Sequence, residues 1–137
     1  MKRIFVDTNI ILDVLMNRSP FYETSKTVLE LADKGTVKAA VAAVSLCNIF
    51  FLINKATGSE KAHEVIDNLL DLFFVIDTSA AILKKATNDR WTDFEDAIQY
   101  HSAASFRATA IISRDTSGFK KSRIPVLAPP EFLALNK

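Results

Sequence analysis

Apolar residues in this chain fall into short unbroken runs separated by stretches with helical spacing. Ile4-Phe5-Val6 is a partly β-branched run that ends at Asp7, and beyond it the apolar positions are Ile10, Ile11, Val14 and Leu15. That change of period predicts a strand feeding a helix. Asn17 to Pro20 breaks the pattern, and Phe21 to Lys34 reads as a second helix with Val28, Leu29 and Ala32 on one face and Gly35 as its stop. Val37 to Val44 is the next predicted strand, with Ser45 expected to cap a helix through Ala56. Ser59 is expected to cap a helix in which Ala62, Val65, Ile66, Leu69 and Leu70 recur at helical spacing, and Phe73 to Ile76 reads as a short buried strand. Further helices are predicted from Asp77–Ala80 to about Asn88 and from Asp93 to Arg107, followed by a strand over Ala110 to Ser113. Pro125 to Leu127 is a last extended piece, and Glu131 to Leu135 a final helical turn after two prolines.

Strands that are apolar without polar alternation, each followed by a helix, indicate a parallel sheet covered on both faces. The expected fold is therefore α/β, a three-layer α/β/α sandwich around a central, mostly parallel sheet. No repeat, low-complexity tract or linker interrupts the 137 residues. Residues 1–137 are expected to form a single domain, in line with roughly 100–200 residues per domain. In such folds ligands bind beyond the carboxyl ends of the strands.

Composition narrows the class. At 49% apolar and 24% charged residues the chain is globular in character. The single cysteine, Cys47, cannot form an internal disulfide, which fits a reduced compartment, and it is expected to be a buried small apolar residue. The apolar run from Ala39 to Ile53 contains Ser45 and Asn48 and is shorter than the ~20 residues a spanning helix needs. Asp7, Asn9 and Asp13 interrupt the run that a secretory leader requires. A cytoplasmic protein with no membrane partner is expected. Seventeen basic against sixteen acidic residues give a net charge of +1, which argues against coating DNA by bulk electrostatics but leaves room for a local basic patch.

The carboxylates carry the chemistry. Asp7 closes the first strand and Asp115 follows the Ile111-Ile112-Ser113 strand, so both are expected at one sheet edge. Asp93 and Asp96 are placed on one face at the start of a helix, whereas Glu95 is expected to point elsewhere. Carboxylates converging in one cleft repel one another unless a cation joins them. Hard oxygen donors without nearby Cys or His favour magnesium or manganese over zinc. Each aspartate also has a structural alternative: Asp7 as a helix cap, Asp93 and Asp96 as partners of a helix dipole, Asp115 as a turn residue.

Taken together these motifs resemble the PIN-domain ribonucleases. Asp7-Thr8-Asn9 after an apolar strand, with Asp13 one turn on, is similar to that family's opening. Asp93-Phe94-Glu95-Asp96-Ala97 resembles its central acidic helix start, and Ile112-Ser113-Arg114-Asp115 followed by Phe119 its last acidic motif. The endings Ile124-Pro125-Val126-Leu127 and Pro130-Glu131-Phe132-Leu133 are similar too. The resemblance implies that Asp7, Asp96 and Asp115 are catalytic metal-binding carboxylates with Asp93 a fourth, and that Thr8, Asn9 and Ser113 support them. It implies a magnesium- or manganese-dependent endoribonuclease. Many small members resemble VapC, the toxin of toxin–antitoxin pairs, so an antitoxin partner and a homodimer are implied as well. Where many relatives carry a glutamate on the helix after the second strand, this chain offers Asn48, a supporting residue without charge, and Gly118 stands where relatives often place another acid.

Arg90, Arg114, Lys120 and Lys121, with Lys84, Lys85 and Arg123 nearby in sequence, flank the acidic motifs as candidate RNA-binding residues; a solvated surface is the plainer reading. Asp13 is expected to pair with an arginine and stiffen the site. Trp91 and Tyr100 are expected as an exposed loop residue and a helix-packed residue rather than base-stacking groups. His63 and His101 are expected to take no part in catalysis. Phe50, Phe51, Phe73 and Phe74 are expected in the core or a dimer interface. The competing functions are a PIN module that binds RNA or a protein without cutting and, more remotely, a dehalogenase-type phosphatase, which lacks its second aspartate because Asn9 stands there.

Overall fold

The computed structural model describes residues 2–136. Five strands, β1 (Lys2–Val6), β2 (Val37–Ala42), β3 (Phe74–Ile76), β4 (Ala110–Ile112) and β5 (Val126–Leu127), form one sheet in the order β3-β2-β1-β4-β5. Every pairing is parallel, with Ile4 beside Ala39 and Ala110, and Val6 beside Ile112. The sheet is thus fully, not mostly, parallel. Helices α1 (Thr8–Leu15), α2 (Tyr22–Asp33), α3 (Ala43–Thr57), α4 (Ser59–Leu72), α5 (Ala80–Asp89), α6 (Phe94–Phe106) and α7 (Pro129–Leu135) make the connections and cover both faces.

The alternation of side chains along the strands explains the layers. Ile4, Val6, Val37, Ala39, Val41 and Ile112 point to one face and pack with Ile10 and Ile11 of α1, Val28 of α2, Ile49 of α3, Val65 of α4 and Phe132 of α7. Phe5, Ala40, Ala42 and Ile111 point to the other and pack with Ala103 and Phe106 of α6. Ile82 and Ala86 of α5 complete that side against Ala97 and Ile98. Each side chain of this size that is fully withdrawn from water stabilises the fold by roughly 1.5–3 kcal/mol before entropy is counted.

Several boundaries differ from the sequence reading. The helix after β2 starts at Ala43, with Ala42 as its N-cap and no side-chain cap. Ser45 is therefore not a cap; it is buried inside the first turn. Gly58, at φ +97°, forms the break before α4, and Ser59 is that helix's first residue. Pro129 and Pro130 lie inside α7 rather than before it, which the first turn tolerates because its N–H groups need no helical partner. Phe73 is buried, but Phe51 and Phe74 are exposed and Cys47 is exposed, so these three do not belong to the core. Among the described residues no helix is long and apolar enough to cross a membrane.

Candidate active site

The strand order reverses direction at β1, so β1 and β4 are neighbours whose connections leave toward opposite sides of the sheet. A crevice opens at such a switch point, at the carboxyl ends of the strands. Here it is a cleft of about 440 Å³ lined by Asp7, Asp93, Glu95, Asp96 and Asp115, with Thr8, Asn9, Asn48 and Gln99, and without a basic side chain.

Asp7 is only 5% exposed. Asp7 is the N-cap residue of α1, but its side chain makes no capping hydrogen bond to the helix. Instead it accepts a hydrogen bond from the Ser113 hydroxyl at 2.6 Å, and that hydroxyl accepts one from the Asp115 amide at 3.0 Å. Ser113 thus couples the ends of β1 and β4. Thr8 donates from its hydroxyl to Ser45 at 2.7 Å, and its amide donates to the Gln99 side-chain oxygen at 3.3 Å. Gln99 was not singled out in the sequence, and Ser45 was read only as a helix cap. Gln99 was within reach, because it falls one turn after Asp96 on the same face of α6; Ser45 carried no signal that distinguishes it from a cap.

Asp93 does cap α6, accepting from the Asp96 amide at 3.0 Å, while its side chain also lines the cleft. Glu95 corrects the expectation that it points away. From the first turn of α6 its longer side chain reaches across to α3, where Asn48 donates to it at 2.6 Å. Helical face arithmetic fails here because the helix begins at the rim, with cleft on more than one side of its first turn. Asn48 therefore holds a carboxylate in the cleft rather than replacing one. Asp115 is exposed and accepts from the Ser117 hydroxyl at 2.8 Å. Gly118 matters here: a Cβ at that position would collide with the Asp96 carboxylate and would sit 3.5 Å from an Asp115 oxygen.

The electrostatics follow from this crowding. Burial raises the Asp7 carboxyl above its ordinary range, with the Ser113 hydrogen bond opposing the shift. Burial also raises Glu95, against the Asn48 hydrogen bond, and the charges of Asp93 and Asp7 add to it. Asp96 is pushed up to about 7, first by burial and then by the charges of Asp93, Asp7, Asp115 and Glu95. Carboxylates in this state resist losing their last protons until a cation offsets the charge.

The donor set suits a divalent ion with oxygen preference. Two observations support the fit: the gap at Gly118 that admits the Asp96 carboxylate, and the Asn9 side-chain oxygen, which is buried at the cleft without a hydrogen-bond partner. Among the described residues no three acidic, His or Cys side chains are drawn round one point.

Asp13, also predicted to pair with arginine, is fully buried and does so twice. Arg114 binds it through two nitrogens at 2.7 and 3.1 Å, and Arg18 lies 3.6 Å away. The Arg114 guanidinium also stacks over Phe21 at 4.2 Å. Arg114, read from sequence as an RNA contact, gives two of its donors to Asp13, and that hydrogen bonding raises its pKa. Arg90, Lys120 and Lys121 line a hollow that shares Asp93, Asp96 and Asp115 with the cleft. Lys85 lines a separate hollow near β3. His101 lies 2.6 Å from Asp89 and, like the exposed His63, is not at the cleft.

Comparison with known proteins agrees with this fold. The family model described as PIN domain matches residues 3–117. No curated protein sequence matches significantly. Among solved structures, a toxin–antitoxin complex from Klebsiella pneumoniae superposes with TM-score 0.70 at 21% identity, covering 92% of this chain and 97% of that one. A VapC toxin of Mycobacterium tuberculosis that cleaves the sarcin–ricin loop gives TM-score 0.65 at 18% identity, over 85% and 95% of the two chains. A VapBC complex from Rickettsia felis bound to a promoter DNA fragment gives 0.65 at 16% identity, over 91% and 96%.

Proposed function

The chain belongs to the PIN-domain family, and from that premise we propose that it is a divalent-metal-dependent endoribonuclease, the toxin of a type II toxin–antitoxin pair. The observation that carries the proposal is the cleft at the switch point, where Asp7, Asp93, Glu95, Asp96 and Asp115 meet without a basic side chain. In this reading Asp7, Asp96 and Asp115, with Asp93 beside them, hold magnesium or manganese. When bound, such an ion activates water as a nucleophile and offsets charge on the phosphodiester.

The protein's own residues set up that site. Ser113 fixes the Asp7 oxygen that faces β4 and ties the Asp115 loop to it, while Gln99 and Ser45 hold Thr8. Asn48 steers Glu95 into the cleft, keeping a negative charge near α3 although the helix itself offers none. Asn9 supplies a neutral oxygen without another partner. Arg90, Lys120 and Lys121 border the carboxylates and attract the RNA phosphates on one side. Structural relatives are toxin–antitoxin complexes, which supports an antitoxin protein as partner; a homodimer and a cytoplasmic setting belong to the same reading.

The test is incubation of the purified, antitoxin-free chain with structured RNA in magnesium or manganese, with EDTA and Asp96→Asn controls. Cleavage that needs the metal and disappears in the variant is expected. Cleavage that survives both controls overturns the mechanism, and tight RNA binding without cleavage favours a binding module instead.

A further inference from the structure

The acidic cleft does not end at the carboxylates. Asp93, Asp96 and Asp115 also line a second hollow of about 380 Å³, together with Arg90, Trp91, Lys120 and Lys121. Beyond it a third hollow of about 360 Å³ shares Trp91 and Lys121 and adds Tyr100 and Arg123. Trp91 therefore stands at the divide between two hollows that lead away from the cleft. Its ring is held from behind: Tyr100 lies 5.2 Å away at a 38° tilt, and Phe119, itself buried, meets it edge-on at 6.3 Å. Held in this way, the indole is still partly exposed. The four cations around it are exposed, and none has an ion-pair partner among the described residues, whereas Asp89 in the third hollow is engaged by His101.

We propose that this track is a subsite for single-stranded RNA, in which one base next to the scissile bond stacks on Trp91 while Arg90, Lys120, Lys121 and Arg123 meet the flanking phosphates. The proposal rests on the nuclease reading and gives it a direction along the surface. A fixed aromatic face between unpaired cations matches the alternation of base and phosphate in a single strand. An acidic peptide without aromatic residues, such as polyglutamate, would use the cations but has no planar ring for the indole. Trp91, expected from sequence to be an exposed loop residue, is thereby a substrate-binding residue that favours single-stranded RNA whatever its base.

Trp91 is the sole tryptophan, so its fluorescence reports on the subsite directly. The full-length Asp96→Asn chain is titrated in magnesium with a short fluorophore-labelled oligoribonucleotide, reading anisotropy for binding and indole emission for stacking. Saturable quenching that tracks anisotropy is expected. Trp91→Leu is expected to bind roughly 5- to 100-fold more weakly, as loss of one base stack implies, with Trp91→Phe recovering most of the affinity and so separating stacking from misfolding. Lys120→Ala with Lys121→Ala is expected to flatten the salt dependence by about 0.7 in log–log slope per lost phosphate contact. Binding that leaves indole emission unchanged, or equal quenching by tripolyphosphate or polyglutamate, overturns the subsite. RNA cleavage by the wild type without quenching sinks the subsite and leaves the nuclease; quenching without cleavage does the reverse.

Discussion

Asp7 and Asp13 stand at opposite ends of α1, both almost wholly withdrawn from water, at 5% and 0% exposure. Their surroundings treat them oppositely. Asp13 receives two nitrogens of Arg114 and the nearby charge of Arg18, so its charge is neutralised inside the protein. Asp7 receives a serine hydroxyl and faces further carboxylates across the cleft. One end of the helix is electrostatically closed and the other is left open. A buried charge with an internal partner serves the fold, and removing that partner is what harms it. A buried charge among like charges works against the fold and is kept for something that arrives from outside.

Asp7→Asn separates the two most sharply: metal-dependent cleavage is expected to fall by about 100- to 1000-fold or more, with denaturant stability unchanged or raised because a repelling charge is gone. A gel assay beside urea unfolding reads both. Asp13→Asn is expected to do the opposite first, lowering stability by about 2–3 kcal/mol in urea, somewhat less than for a fully buried pair because both arginines are partly exposed. Equal loss of stability in the two variants would erase the distinction.

The third prediction concerns protons. Asp96 has its carboxyl raised to about 7, so the folded state holds a proton that the unfolded chain releases near the ordinary value of 3.8. Its contribution to stability is therefore fully present below about pH 4 and is lost as pH rises to about 7. In EDTA, the melting temperature of Asp96→Asn minus that of wild type is expected to grow between about pH 5 and about pH 7 by a few degrees. That corresponds to roughly 1 kcal/mol once screening at a half-exposed group is allowed for. Manganese is expected to close the gap at neutral pH. A pH-independent difference would mean that Asp96 is not strained. The mildest change is Gly118→Ala, expected to reduce manganese affinity and cleavage about 10-fold, or about 1.4 kcal/mol, with the melting temperature little changed. Full affinity in a manganese titration would show that the Asp96 carboxylate moves aside freely.

The layers and most elements follow from the sequence because each strand is a short apolar run and each helix carries its own period. Asp7, Asp96 and Asp115 were readable from their places at strand and helix ends. Glu95 was not, because the face on which a side chain lies says nothing about what stands opposite, and Asn48 on α3 is what draws it in. Arg114 shows the same gap from the other side: beside Asp115 it resembles a phosphate contact, yet a buried aspartate far earlier in the chain takes it. Phe51 and Cys47 sit in an apolar helix whose inner face is narrower than its composition suggests. Such pairings across elements are set by packing, which no local pattern contains.

The hydrogen bond from Ser113 to Asp7 joins positions 106 residues apart, and β4 reaches β1 only after three crossovers are in place. Such a site has no partial form. A growing chain carries Asp7 from its first strand onward but has no cleft until β4 slots in beside it, so competence arrives late and all at once with the sheet. On the proposed nuclease reading, a half-made copy has no cleft with which to cut the RNA of the machinery that makes it.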